Sequence, residues 1–150
     1  MKIGMGTIIL CLWALGGSVY GVQPIEGDWQ NVDDETGVPK AIITIWVDSQ
    51  GNAFGKIREL LNQGPNADPN PPCTKCTGAD KDRRAKGLVL MRNLRQDGDV
   101  WTGGSILDPN SGKIYRCRVK LNADGKRLEV RGFIGISLIG RTQVWYKLAK

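Results

Sequence analysis

Over residues 114–121 apolar and polar positions alternate from Tyr115 onward: Tyr115, Cys117, Val119 and Leu121 fall on one face, Arg116, Arg118 and Lys120 on the other. A period of two marks a strand with one face against a core and the other in water. The pattern returns over residues 126–133, where Leu128 and Val130 point inward against Arg127, Glu129 and Arg131, after the turn sequence Asn122-Ala123-Asp124-Gly125. Residues 41–47, Ala41-Ile42-Ile43-Thr44-Ile45-Trp46-Val47, form the most β-branched segment, a composition suited to a pleated, half-buried surface. The short polar link Asp48-Ser49-Gln50-Gly51-Asn52 turns it into a hairpin partner over residues 53–60. A second hairpin joins residues 87–94 to residues 100–107 through Gln96-Asp97-Gly98-Asp99. A short strand over residues 27–31, ending in Asp33-Asp34-Glu35-Thr36-Gly37, and a last one over residues 141–148 complete eight predicted strands.

Two stretches break the rhythm. Residues 62–84 carry Pro65, Pro69, Pro71 and Pro72, which cannot donate to a ladder, so this is the long loop of the molecule. Gly132, Gly135 and Gly140 divide the apolar link Phe133-Ile134-Gly135-Ile136-Ser137-Leu138-Ile139, which is expected to hold a helical turn. Strands joined mainly by short links favour sequential antiparallel neighbours, and eight of them can close into an up-and-down barrel with room for side chains or one small ligand. A half-open barrel or a sandwich with a filled core fits the same pattern.

The chain opens with Met1-Lys2, an apolar core over residues 8–15 and the small residues Gly16, Gly17 and Ser18, which is the grammar of an export signal. Cleavage after Gly21, with Val19 and Gly21 at the recognition positions, makes residues 1–21 a signal peptide and residues 22–150 one domain, periplasmic or extracellular. The alternative is an uncleaved anchor, since no charge lies between Lys2 and Glu26, but five glycines dilute that span. Cys11 lies inside the apolar core, not after a small-residue lipobox.

Twenty-one basic against fifteen acidic residues give a net charge of +6, which favours acidic partners in general. Export and the lack of a basic helix or an aromatic-studded basic sheet argue against nucleic acid. The chain has no histidine, so no Ser/His or Cys/His nucleophile pair can be assembled. Asp33, Asp34 and Glu35 read as a solvated turn, and no catalytic residue, cofactor or metal site is predicted. Cys73-Thr74-Lys75-Cys76 is the sharpest local motif, for such spacing suits a redox disulfide or half a zinc site. Zinc would need Cys117 and Asp80 or Asp82 as further ligands, and an exported chain more often oxidises its cysteines. A local Cys73–Cys76 bridge is the first choice, leaving Cys117 as a small buried hydrophobe; the rival ties Cys117 to one of the loop cysteines.

Gly27-Asp28-Trp29, Gly55-Lys56-Ile57, the two loop cysteines, Trp101-Thr102-Gly103-Gly104, Ile106-Leu107-Asp108-Pro109, Tyr115-Arg116-Cys117 and Gly140-Arg141-Thr142-Gln143-Val144-Trp145 together resemble the bacterial domain-of-unknown-function family numbered 2147. That resemblance implies a lipocalin-like barrel in the cell envelope and carries no settled activity. The wider likeness to lipocalins, a G-x-W opening with a late arginine, implies that Arg141, or with less support Arg131, stacks on Trp29 and closes the barrel base. Such a cation–π pair contributes about 0.5–2 kcal/mol.

Ile43, Ile45, Leu88, Leu90, Tyr115, Val119, Leu128 and Val130 are the candidates to line a cavity for an acyl chain or another small apolar or amphipathic molecule. The first functional expectation is therefore a non-enzymatic binding protein. The second is a packed barrel that sets Arg116, Arg118, Lys120, Arg127 and Arg131 against an anionic envelope surface. The third is a thiol oxidoreductase at Cys73 and Cys76. No oligomeric state follows from the sequence.

Overall fold

The computed structural model describes residues 24–136 and 138–149. The predicted signal peptide, residues 1–21, lies outside the described residues. The strands are β1 (Gly27–Val32), β2 (Pro39–Val47), β3 (Asn52–Leu60), β4 (Val89–Asp97), β5 (Val100–Asp108), β6 (Lys113–Leu121), β7 (Arg127–Phe133) and β8 (Gly140–Lys147). Each pairs antiparallel with its neighbour in sequence, and β1 pairs with β8 through Trp29–Lys147, Gln30–Tyr146 and Asn31–Trp145. The barrel is therefore closed, and the half-open alternative falls.

Up-and-down order sorts the connections by end. The hairpins after β2, β4 and β6 are short and lie at one end, the base. The links after β1, β3, β5 and β7 lie at the other end, the mouth, and include the Pro/Cys loop between β3 and β4. Inward residues at the base pack solidly: Trp29, Ile45, Ala53, Leu94, Val119 and Leu128 are all 2% exposed or less. Large apolar side chains from every side meet there, so no room remains for a ligand.

Two local expectations are corrected. The β7–β8 link holds no helix among its described residues. A turn shapes it instead, with Ile139 N–H donating to the Ile136 carbonyl at 3.1 Å and Ile134 N–H donating to the Ile139 carbonyl at 3.3 Å. The one short helix among the described residues, the 3-10 turn Gly78–Asp80, is in the Pro/Cys loop. β4 begins at Val89, because Gly87, at φ 88°, takes a left-handed conformation that ends the loop and lets Gly87 and Leu88 bond to Ile57 of β3.

Gly112 shows how the long loop is seated. A Cβ at this position would overlap the Lys75 carbonyl, so the β5–β6 hairpin and the cysteine segment touch backbone to backbone. The loop is thereby laid across the mouth beside β5 and β6, and its residues become part of the cavity wall.

Candidate functional site

Above the packed base the barrel is hollow. A cavity of about 1040 Å³ opens toward the mouth. Its apolar wall includes Ile43, Ile57, Leu88, Leu90, Ile106 and Val130, contributed by strands β2, β3, β4, β5 and β7 and by the end of the long loop. Cys73, Thr74 and Lys75 roof one side, while Lys40, Asp108 and Arg141 stand at the rim.

Polar groups enter the cavity from β1 and β8 as well as from the rim. Asn31 on β1 donates from Nδ2 to Gln143 Oε1 on β8 at 2.9 Å, and Trp145 Nε1 donates to the same oxygen at 3.4 Å. The Gln143 carbonyl is thus held between two donors, which fixes its amide inside the barrel. Tyr115 adds a phenol to the lining. A chamber with an apolar inner wall and a strongly polar rim, Lys40, Lys75, Asp108, Asn110 and Arg141 among it, suits an amphipathic molecule, and its volume lies at the upper end of ligand pockets, about 300–1,000 Å³.

At the rim, Arg141 clasps Asp34, with Nε donating to Oδ2 at 2.6 Å and Nη2 donating to Oδ1, and it reaches Glu35 at 3.5 Å. The guanidinium holds the Asp34 carboxyl below the usual carboxylate range, and Gln143 contributes to a lesser degree. Because the folded value is depressed, the clasp contributes at neutral pH and is lost as pH falls through that value. It is exposed, so its stabilisation is small.

Of the eight residues expected to line the cavity, Ile43, Leu88, Leu90, Tyr115 and Val130 do so. Ile45, Val119 and Leu128 do not; they lie in the packed base. Ile45 is opposite Gly27 at the start of β1, and Leu128 is opposite Leu121 at the end of β6, so both are at the wrong height.

The pairing of Trp29 with Arg141 is corrected as well. Trp29 is fully buried near the base and donates from Nε1 to the Ile25 carbonyl at 2.8 Å. The cation over its ring is Lys147, with Nζ 5.3 Å from the centroid. Arg141 begins β8 at the mouth, whereas Lys147 ends it at the base. Arg131 bonds to Thr142 Oγ1 and the Leu138 carbonyl, so it too has other partners.

Cys73 and Cys76 form a disulfide across 5.4 Å between Cα atoms, and both are buried. Cys117 is a free, buried thiol on the inward face of β6, and burial pushes its pKa up to about 12. It remains protonated at neutral pH and packs as a hydrophobe.

Sequence reasoning passed over Asn31, Gln143, Ile57, Leu60, Ile106 and Leu107, which also line the cavity. The two polar residues carried a signal: each sits two positions from an inward tryptophan, Trp29 and Trp145 respectively, so strand parity turns both inward.

A closed, eight-stranded antiparallel barrel in sequential order, packed at its base and hollow at its mouth, defines a lipocalin-like protein. The chain belongs to the family described as "Uncharacterized protein conserved in bacteria (DUF2147)", whose model matches residues 27–147. It is similar in structure to protein HP1028 from the human pathogen Helicobacter pylori, described as belonging to the lipocalin family. The TM-score is 0.69 at 18% identity over 84% of each chain, a likeness of fold. Among curated proteins none matches.

Proposed function

We propose that this protein is an exported, non-enzymatic binding protein that holds one small amphipathic molecule in its barrel. The observation that carries this reading is the cavity of about 1040 Å³, with an apolar wall crossed by the Asn31–Gln143 pair. An acyl chain or flat apolar ring system lies against Ile43, Ile57, Leu90, Ile106 and Val130, and a polar end reaches Asn31 and Gln143 or the rim lysines Lys40 and Lys75. The general association of lipocalin-like folds with small hydrophobic ligands supports it. Export rests on the signal grammar of residues 1–21, and the location is periplasmic or extracellular.

The absence of enzymatic chemistry is part of the proposal. The buried Cys117 thiol is held protonated, which deprives it of nucleophilic character. The Cys73–Cys76 bridge is read as a staple for the loop that roofs the cavity.

A fluorescent long-chain fatty acid tests the reading. Titrated into the protein, it is expected to saturate at one molecule per chain and to be displaced by unlabelled amphiphiles according to the length of their apolar part. Signal that never saturates, or that is indifferent to chain length, would count against a barrel site.

A further inference from the structure

Large apolar side chains exposed on this barrel are not scattered. Among the described residues they number seven, and six of them, Val38, Ile114, Ile134, Ile136, Leu138 and Ile139, stand at the mouth. Four belong to the single link between β7 and β8, where exposure runs from 61% at Ile136 to 85% at Leu138. Residues 133–139 contain no charged residue. An apolar cluster of this kind, rimmed by polar groups, marks an interaction surface.

The link is also held outward. Arg116 Nη1 donates to the Gly135 carbonyl at 3.3 Å, and Arg131 Nη2 donates to the Leu138 carbonyl at 3.2 Å. Two guanidinium groups on the outer face of β6 and β7 thus support the backbone of the loop while its aliphatic side chains face solvent. Arg118 lies directly opposite Arg131 in the β6–β7 register, which makes the outer face beside the link basic.

We propose that the β7–β8 link inserts into the surface of an anionic lipid bilayer and seats the barrel mouth against it. The chemistry selects lipid over a protein partner. Protein-binding hot spots are enriched in Trp, Tyr and Arg and poor in Leu and Val, whereas the large exposed side chains of the link are all aliphatic, with basic residues only beside them, as at an interfacial membrane anchor. Basic side chains at that depth meet anionic headgroups, and the net charge of residues 22–150, 20 basic minus 15 acidic or +5, has the same sign. The acidic turn Asp33-Asp34-Glu35 borders the link on its β8 side, where Arg141, two residues past Ile139, is bound to Asp34 and Glu35; Arg116 and Arg131 flank the link on its β6–β7 side, and that side faces the lipid. Ile134 and Ile139 also line the cavity, which makes the apolar surface continuous from the link to the interior. Docking itself does not depend on the cavity being filled.

The test is co-sedimentation of the protein with vesicles of phosphatidylglycerol and phosphatidylcholine in equal parts, against vesicles of phosphatidylcholine alone. Wild type is expected to bind the mixed vesicles more tightly, and the double variant Ile136→Asp with Leu138→Asp to lose at least about tenfold in affinity. Leu138→Trp supplies a readout independent of that variant: its emission is expected to shift to the blue when mixed vesicles are added. Failure of wild type to bind would overturn the proposal, as would binding that salt abolishes but the two aspartates leave unchanged. A loss of self-association in the double variant, without vesicle binding by wild type, would assign the link to a second copy of the chain instead.

Discussion

Trp29→Ala is expected to destabilise the fold by about 3–5 kcal/mol in urea or thermal unfolding, the range for removing a fully buried large aromatic side chain. Trp29 is 0% exposed, its indole N–H is satisfied by the Ile25 carbonyl, and Lys147 covers its ring. Truncation would open a void among large neighbours that strand pairing holds in place, so little collapse can offset it. Removing the cations separates the two assignments of the barrel base. Lys147→Ala is expected to cost about 0.5–1 kcal/mol, the value of an exposed cation–π contact. Arg141→Ala removes only the exposed clasp on Asp34, so it is expected to cost about 1 kcal/mol or less and to leave the Trp29 environment unchanged. A change in tryptophan fluorescence on Lys147→Ala but not on Arg141→Ala would place the cation at the end of β8.

The second large effect is on binding. Ile106→Trp is expected to weaken the fluorescent fatty acid by about 100-fold or more while shifting stability by no more than about 1–3 kcal/mol. Ile106 is half-buried on the cavity wall beside Gly132, so an indole can extend into the hollow where the apolar part of a ligand would lie. Leu128→Trp provides the contrast. Leu128 is 0% exposed in the packed base, where a larger ring has no space, and the expected result is loss of stability instead of selective loss of binding. Equal binding by wild type and Ile106→Trp would show that the probe sits outside the barrel.

The strands were legible because inward and outward positions alternate so cleanly. Tyr115, Cys117, Val119 and Leu121 define one face of β6, and the turn sequences at Gly51, Gly98 and Gly125 mark the short hairpins of the base. Parity alone does not give height: Ile45, Val119 and Leu128 share the inward parity of the true lining residues but lie nearer the base. Direction of travel would have supplied it. In an up-and-down barrel β8 runs opposite to β1, so Arg141 at its start must lie at the mouth and Lys147 at its end near Trp29.

The long loop was a different case. Residues 62–84 have no period, and their seat over the cavity depends on the close approach of Gly112 to Lys75, a contact between distant segments that no local pattern announces. The apolar β7–β8 link departs from a general rule: hydrophobic residues usually imply burial, but four of these are exposed at the mouth.

Occupancy of the barrel by a small amphipathic molecule is tested most directly by the mass of the protein purified from its native source, measured under native and then denaturing, non-reducing conditions. An excess mass is expected in the native spectrum and is expected to disappear on denaturation, with Ile106→Trp prepared in the same way showing none. A native mass equal to the chain alone, in protein that also fails to take up the fluorescent fatty acid, would contradict it.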